Sequence, residues 1–305
     1  MPRQHAEHLP PWNLIVPVMA GVVTWLAYRI PPASVSDLQQ FWIAARALAA
    51  GRDPYATVPT SWPWPLFYPL PAVLLVFPIG VLPLEGARVA WAMIAAGVFV
   101  RASQRTDRPL WVGMLSASFV QGIILGQWSP LLTAGAVLPW LSITWVAKPT
   151  VGLALFAGWP RREAIVGGSL LVAASLALDP HWPLDLWRVS GEAIHRAPVL
   201  RPGGALLLLA LLRWRVPEAR LLAGLACVPH SLAIFETLPL FLVPRRKQDA
   251  YALAVLTYVA VFLSGLVPAG QPGLTASLDR RWPFMLVLVY LPTLVMVLRP
   301  PHSVD

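Results

Sequence analysis

Long apolar runs separated by short polar segments make up most of the chain. They lie at 12–30, 86–100, 109–125, 128–159, 163–179, 203–214, 219–230, 231–244, 250–267 and 282–298. A helix needs about 20 apolar residues to cross a bilayer, although a shorter run can cross where the bilayer thins. The pattern therefore predicts an all-α protein, a polytopic bundle of about ten transmembrane helices that forms one integral-membrane domain.

A loop at 31–66 follows the first run and contains a segment with amphipathic helical spacing. Apolar residues recur on one side of this segment, at Leu38, Phe41, Trp42, Ala45, Leu48 and Ala49. Gln39, Gln40 and Arg46 take the other side, and Gly51 with Pro54 ends the pattern. We predict a helix that lies in the membrane interface.

The next segment, 67–83, is apolar but interrupted by prolines. Pro69, Pro71 and Pro78 would each bend or end a helix here. Because the segment is also short, it predicts a re-entrant or interfacial stretch as readily as a full crossing.

The composition excludes several classes of soluble protein. Of the 305 residues, 57% are hydrophobic and only 12% are charged, whereas soluble domains carry roughly 25% charged residues. A cytosolic enzyme, a secreted domain and a disordered chain are therefore excluded. The single cysteine, Cys227, permits neither an intrachain disulfide nor a cysteine metal site.

The net charge of +9 comes mainly from arginines between the apolar runs, which favours anionic lipid headgroups over nucleic acid as the partner. Four clusters stand out: Arg101, Arg105 and Arg108; Arg161 and Arg162; Arg213, Arg215 and Arg220; Arg245, Arg246 and Lys247. All four share one membrane side if 67–83 does not cross. Both termini are then cytoplasmic in a bacterial-type plasma (inner) membrane. The loops 31–66, 180–202 and 268–281 face the extracytoplasmic side.

Asp37, at the start of the amphipathic segment, is the first candidate for chemistry. Its position suits a helix N-cap or first-turn acid, which needs no catalytic role. Alternatively, a carboxylate at the outer membrane face has a raised basicity and could take a proton from a sugar or lipid hydroxyl. Spacing alone does not decide between these two interpretations.

An ordered set of short motifs surrounds Asp37 and continues to about residue 240. It consists of Asp37-Leu38, Phe41-Trp42, Ala44-Ala45-Arg46-Ala47, Gly51, Pro54-Tyr55, Phe67-Tyr68-Pro69, Gly126-Gln127-Trp128-Ser129, Lys148-Pro149-Thr150 and Pro229-His230-Ser231. This set resembles the signature of glycosyltransferase family 87, also called DUF2029. Members of that family include polyprenol-phosphate-mannose-dependent alpha-mannosyltransferases.

The resemblance implies a GT-C fold with its site at the extracytoplasmic face. The donor, a co-substrate rather than a cofactor, would be a polyprenyl-phosphate-linked sugar, in the simplest case mannose. The acceptor would be a glycolipid or a cell-envelope glycan. Asp37 would be the general base of an inverting transfer, and the motif residues Arg46, Tyr55, Tyr68 and Gln127 are candidates for substrate binding.

Lys148, Glu236 and His230 do not flank an apolar run as topology-setting charges do, so each needs another explanation. Lys148 is the charge most deeply embedded in an apolar run, so it either snorkels to an interface or pairs with the donor phosphate. Glu236 is either the structural counter-ion of Lys148 or has a role in catalysis, in which it would bind the substrate. His230 is either a hydrogen-bonded helix-end residue or a substrate ligand.

The loop at 180–202 carries further candidates. Arg188 is the one we assign to lipid-phosphate binding. His181 with Asp185, and Glu192 with His195, could each share a helix face and hold a metal. Such side chains in a wet loop are more often only solvated, so no metal or cofactor is predicted.

Smaller features leave alternatives open. Arg46, nine residues after Asp37, either orients that carboxylate or contacts headgroups. Trp62 and Trp64 form either a sugar-stacking platform or part of an aromatic belt.

Two other functions compete with a membrane glycosyltransferase. A transporter or flippase would have charged groups deep in several helices and signs of repeat symmetry; the chain has one deep lysine and no repeat. A non-catalytic divergent relative acting as a membrane subunit would keep the helices and tolerate the loss of Asp37.

Overall fold

The computed structural model describes residues 11–29, 36–191, 196–266 and 280–299, and this part of the chain is all-α, without strands. Its α-helices are α1 (Trp12–Ala27), α2 (Leu38–Ala49), α3 (Pro54–Thr57), α4 (Leu70–Val76), α5 (Leu84–Ser103), α6 (Ala117–Ile124), α7 (Ser129–Gly135), α8 (Pro149–Gly158), α9 (Arg162–Leu178), α10 (Trp182–Ser190), α11 (Pro217–Cys227), α12 (Lys247–Leu266) and α13 (Trp282–Leu298). Tighter 3₁₀ segments lie between them, at Val58–Thr60, Phe77–Ile79, Leu110–Leu115, Pro139–Ala147, Pro198–Leu200, Gly204–Arg213 and Ile234–Leu242.

Prolines set the start of many of these helices. Pro54, Pro149 and Pro217 are the first residues of α3, α8 and α11, where the missing N–H costs nothing because no partner exists for it. Elsewhere along the apolar runs, the backbone tightens to 3₁₀ geometry, as at Pro139–Ala147. The runs are thus divided into short helices that meet at sharp turns.

The predicted number of about ten transmembrane helices is wrong for the described residues. Within the described ranges, only α12, with 20 residues, is by itself long and apolar enough to cross a membrane. The count rises to three if two bent pairs are each taken as one span: Leu70–Ile79 with α5, and α9 with α10. The run 128–159 shows one physical reason, because Pro139 and Pro149 divide it and its α-helices have only 7 and 10 residues.

The proline-rich segment 67–83 forms a short helix that turns sharply into α5. Leu70–Ile79 makes an angle of 103° with α5. Ten helical residues extend only roughly 15 Å, about half of a bilayer core. This geometry fits the re-entrant or interfacial alternative rather than a separate crossing.

Helix α2 has the predicted position but is more deeply buried than an interfacial helix. Seven of its 12 residues are buried. They include Gln40, which the amphipathic pattern places on the polar side. The helix packs against α3, α4 and α5, so it belongs to the protein core and holds its first residues against neighbouring elements.

Apolar side chains face outward on several helices. α1 packs on α5 through one side and exposes Leu14, Ile15 and Met19 on the other. The same holds for α9 and α12, where Leu170 and Phe262 are about two-thirds exposed. Outward apolar faces of this extent are typical of surfaces that contact lipid or a partner protein.

Candidate functional site

The carboxylate of Asp37 lies at the N-terminus of α2 but does not cap it. Asp37 occupies the N-cap position, yet its side chain accepts no hydrogen bond from the helix. It accepts one from Nε2 of Gln127 instead, while its backbone N–H donates to the carbonyl oxygen of Leu125 at 2.9 Å. Asp37 therefore occupies the N-cap position, but its side chain does not act as a helix cap.

A tight turn between α6 and α7 brings Gln127 to Asp37. Gly126 has a φ of +68°, and a Cβ atom added there would lie 2.6 Å from Cβ of Leu38. Only glycine allows both this left-handed backbone and this close approach of α2. Gln127 is fully buried, so the turn presents its amide to Asp37 in a fixed orientation.

We predict that Gly126→Ala destabilises the protein more than Gly51→Ala. Gly51 has a similar φ of +65° but nothing within 4 Å of its added Cβ. Both substitutions cost about 1–2 kcal/mol of backbone strain, and only the first adds a clash of roughly 1–3 kcal/mol. Thermal unfolding of the purified variants measures the difference, and equal melting temperatures would contradict the packing described for this turn.

A buried ion pair lies close to Asp37. Nζ of Lys148 is 2.5 Å from Oε1 of Glu236, with side chains 15% and 3% exposed. Ser231 donates a second hydrogen bond to the same carboxylate oxygen at 2.6 Å. Oε2 of Glu236 is buried, and no described residue donates to it. Of the two interpretations of Glu236, the contact fits the counter-ion of Lys148, and it leaves one carboxylate oxygen without a hydrogen-bond partner among the described residues.

Desolvation strengthens the affinity of the Asp37 carboxylate for a proton. Its removal from water raises the pKa of the carboxyl from 3.8 to about 6, and Lys148 offsets this rise only partly. Glu236 adds to the rise through like-charge repulsion. Asp37 makes no ion pair with a described lysine, arginine or histidine. A carboxylate with this pKa is largely ionised at neutral pH and binds a proton more strongly than an ordinary aspartate.

Tyr68 packs against both Lys148 and the helix that Asp37 begins. Nζ of Lys148 lies 5.8 Å from the centre of the Tyr68 ring, and that ring packs edge-on against Phe41 of α2. Desolvation raises the pKa of Tyr68 to about 12, so the phenol remains a hydrogen-bond donor at neutral pH. The hydroxyl of Tyr55 donates to the backbone carbonyl of Tyr68 at 2.9 Å, so Tyr55 positions Tyr68. We call Asp37, Gln127, Lys148, Glu236 and Tyr68 the central cluster.

Both ring nitrogens of His230 have hydrogen-bond partners within the protein. Its Nδ1 lies 3.0 Å from the carbonyl oxygen of Val228 and its Nε2 lies 2.8 Å from the hydroxyl of Tyr290. With both ring nitrogens engaged, the buried imidazole can bind a substrate only by giving up one of these partners. The geometry favours the interpretation of His230 as a hydrogen-bonded structural residue beside the central cluster.

The structure does not bring Arg46 or Arg188 to the central cluster. Arg46 lies near the other end of α2, roughly 13 Å along the helix from Asp37. It stacks on Trp42 at 4.9 Å and points to the carbonyl oxygen of Gly80, so it does not orient Asp37. Arg188, on α10, is exposed and pairs with Asp185 at 3.0 Å.

The remaining predicted features lie away from the cluster or outside the described residues. Within the described part of the chain, no three histidine, cysteine or acidic side chains gather as metal ligands; Glu192 and His195 lie outside it. Trp62 and Trp64 pack edge to face at 5.6 Å, and Trp62 is buried. The two rings together do not present an open stacking platform.

Two residues that support the cluster escaped the sequence analysis. Arg88 of α5 donates to Ser36 at 3.0 Å and to Gln39 at 2.9 Å, which fixes the first turn of α2. Tyr290 of α13 is fully buried and holds His230. A signal existed for each, since an arginine or a tyrosine inside an apolar run needs a polar partner.

Neither a known protein-family model, nor a curated protein, nor a solved structure matches the chain.

Proposed function

We propose that the protein is a membrane glycosyltransferase of the family 87, GT-C type. It would move a sugar, in the simplest case mannose, from a polyprenyl-phosphate donor to a glycolipid or cell-envelope glycan. The observation that carries this proposal is the state of Asp37. Its carboxylate is desolvated, makes no helix cap and no ion pair with a described residue, and contacts an oriented amide beside a lysine.

The proposed reaction is a single displacement. Asp37 takes the proton of an acceptor hydroxyl while that oxygen forms a bond to the anomeric carbon of the donor sugar. The bond between the anomeric carbon and the phosphate oxygen breaks, and polyprenyl phosphate leaves with the electron pair. One displacement inverts the anomeric configuration. Gln127 holds the carboxylate in place, because its amide donates to one oxygen and leaves the other free.

The donor side of the reaction is assigned to the ion pair. Lys148 is the cation whose charge lowers the pKa of the Asp37 carboxyl, and a leaving phosphate needs a cationic partner. The unpartnered Oε2 of Glu236 can accept a hydrogen bond from a sugar hydroxyl. The phenol of Tyr68, next to Lys148, can donate to either substrate.

The membrane placement is part of the same proposal. Among the described residues, one to three helices are long and apolar enough to cross a membrane, and the outward apolar faces of α1, α9 and α12 suit contact with lipid. We place the protein in a bacterial-type plasma (inner) membrane with both termini cytoplasmic. The central cluster then lies at the extracytoplasmic face. The proposed donor carries its sugar on a lipid phosphate, so the reaction there requires no sugar nucleotide.

Transfer by the wild-type protein in lipid nanodiscs tests the proposal. Labelled polyprenyl-phosphate mannose and a panel of glycolipid acceptors are supplied, and the product is analysed for its anomeric configuration. We expect labelled product with the configuration inverted relative to the donor. A product of retained configuration would exclude the single displacement, and no product with a broad panel of donors and acceptors would exclude the function.

The transfer rate is expected to rise with pH up to about 6 and then level off. A general base works only when deprotonated, so below the pKa of Asp37 the rate falls about tenfold for each pH unit. The profile is measured between pH 4.5 and 8 at saturating donor, conditions chosen to bracket the pKa of about 6. A rate that stays constant down to pH 4.5 would assign the proton transfer to another group.

A further inference from the structure

Four arginines from three separate parts of the chain surround one small cavity. Arg213, Arg245, Arg246 and Arg299 line it, together with the carboxylates of Glu218 and Asp249. The cavity encloses about 60 Å³. By the same measure one water needs about 10–15 Å³, so the cavity has room for a group of phosphate size.

The two carboxylates are already neutralised by arginines. Arg108 forms an ion pair with the buried Glu218 and also donates to the carbonyl oxygen of Leu242 at 2.8 Å. Arg299 pairs with Asp249 at 3.0 Å. Arg245 is only at 4.0 Å from Glu218. Three arginines at the cavity, Arg213, Arg245 and Arg246, are therefore left with positive charge that no described carboxylate balances at hydrogen-bond distance.

The wall of the cavity is partly preorganised. Arg213 donates to the carbonyl oxygens of Val297 and Arg299, which anchors its guanidinium at the end of α13. A side chain held in this way loses little further freedom when it binds a ligand. Arg245 and Arg246 lie in the turn before α12 and are exposed, so they can close on a ligand that enters from the surface.

We propose that this cavity binds a phosphate group, carried either by an anionic lipid headgroup or by a free phosphate ion. Guanidinium groups bind phosphate oxygens through charged, often bidentate hydrogen bonds. Basic pockets between membrane helices are typical binding sites for anionic headgroups. None of the lining residues belongs to the central cluster, so the proposal does not depend on the transfer activity.

Thermal unfolding of the detergent-purified full chain tests this site. Two probes are added separately, inorganic phosphate and micelles doped with dioleoylphosphatidylglycerol, with phosphatidylcholine micelles as the background. Wild type is compared with the double variant Arg245→Gln/Arg246→Gln. The matched control is Arg101→Gln/Arg105→Gln, which removes two exposed arginines, one in the last turn of α5 and one just after it; neither lines the cavity.

We expect at least one probe to raise the melting temperature of wild type and of the control. In Arg245→Gln/Arg246→Gln, half-saturation should require a probe concentration about tenfold higher or more, because two charged contacts are lost. Stabilisation by phosphate alone identifies the ion as sufficient, and stabilisation only by the doped micelles identifies the lipid headgroup. No stabilisation by either probe, or an equal loss in the control, would overturn the proposal.

The variant itself is expected to fold. Without a probe its melting temperature should match that of wild type, because both arginines are exposed and contribute little to stability. If the double variant unfolds early, the single variant Arg246→Gln is measured in the same way, and a response identical to that of wild type would then count against the site.

Discussion

Replacing Asp37 by asparagine is expected to lower the transfer rate by a factor of about 10² to 10⁴, the usual contribution of a general base. An amide cannot accept the proton of the acceptor hydroxyl, yet it keeps the size of the carboxyl and can still accept the hydrogen bond from Gln127. Because the carboxylate does not cap α2, the substitution removes no capping bond. The loss should therefore appear in kcat, with the melting temperature almost unchanged.

Asp53→Asn is the matched control for this substitution. Asp53 lies in the same loop region and caps α3 by accepting a hydrogen bond from the backbone N–H of Tyr55 at 2.8 Å. Asparagine caps a helix about as well as aspartate, so this variant should keep both its stability and its activity. A similar loss of activity in both variants would show that any change in this region, rather than the loss of the base, is responsible.

Of the single substitutions considered, replacing Glu236 by glutamine is expected to lower the stability of the protein the most. It leaves Lys148, only 15% exposed, without its counter-ion. Removing one partner of a buried ion pair costs about 3–5 kcal/mol. The glutamine oxygen can still accept from Ser231, so the effect reports the charge rather than the packing. The melting temperature should fall clearly, as followed by tryptophan fluorescence in detergent.

Two comparisons isolate the buried charge. Glu85→Gln removes the acid of the Arg29 ion pair, whose side chains are 55% and 62% exposed, and should cost no more than about 1 kcal/mol. The double variant Lys148→Met/Glu236→Gln removes both charges and should recover most of the lost stability. If Glu85→Gln is as destabilising as Glu236→Gln, the ion pair is not the source of the effect.

The same double variant separates structure from function. If Lys148 binds the donor phosphate, Lys148→Met/Glu236→Gln should fold but transfer no sugar, because the leaving group has lost its cation. Normal transfer by this folded variant would reduce the pair to a structural role and would require another cation for the phosphate.

The sequence predicts the parts of this protein that depend on single side chains. A lysine in an apolar run demands a counter-ion, and Glu236 is the one found. Gly51 and Pro54 end the amphipathic pattern, and α2 ends at Ala49 as they require. An unpaired buried lysine and a helix continued through Gly51 and Pro54 would each cost so much free energy that both features can be predicted without knowledge of the fold.

Features that depend on three-dimensional packing escape the sequence. Hydropathy does not show that a run such as 128–159 is divided into two α-helices and a 3₁₀ segment, so the number of crossings was overestimated. Amphipathic spacing places Gln40 on a polar side, but packing against neighbouring elements buries it. Trp42 and Arg46 are four residues apart, so helical spacing is compatible with their stacking. Spacing does not reveal that Gly80, from another part of the chain, lies beside the same guanidinium.

The central claim is that Asp37 is the base of a sugar transfer from a polyprenyl-phosphate donor. The most direct measurement supplies labelled polyprenyl-phosphate mannose and acceptor to membranes that contain equal amounts of wild type, Asp37→Asn or Asp53→Asn. The account predicts labelled product with wild type and Asp53→Asn, and only background with Asp37→Asn. Equal transfer by wild type and Asp37→Asn would contradict it, as would the absence of transfer by wild type across a broad panel of donors and acceptors.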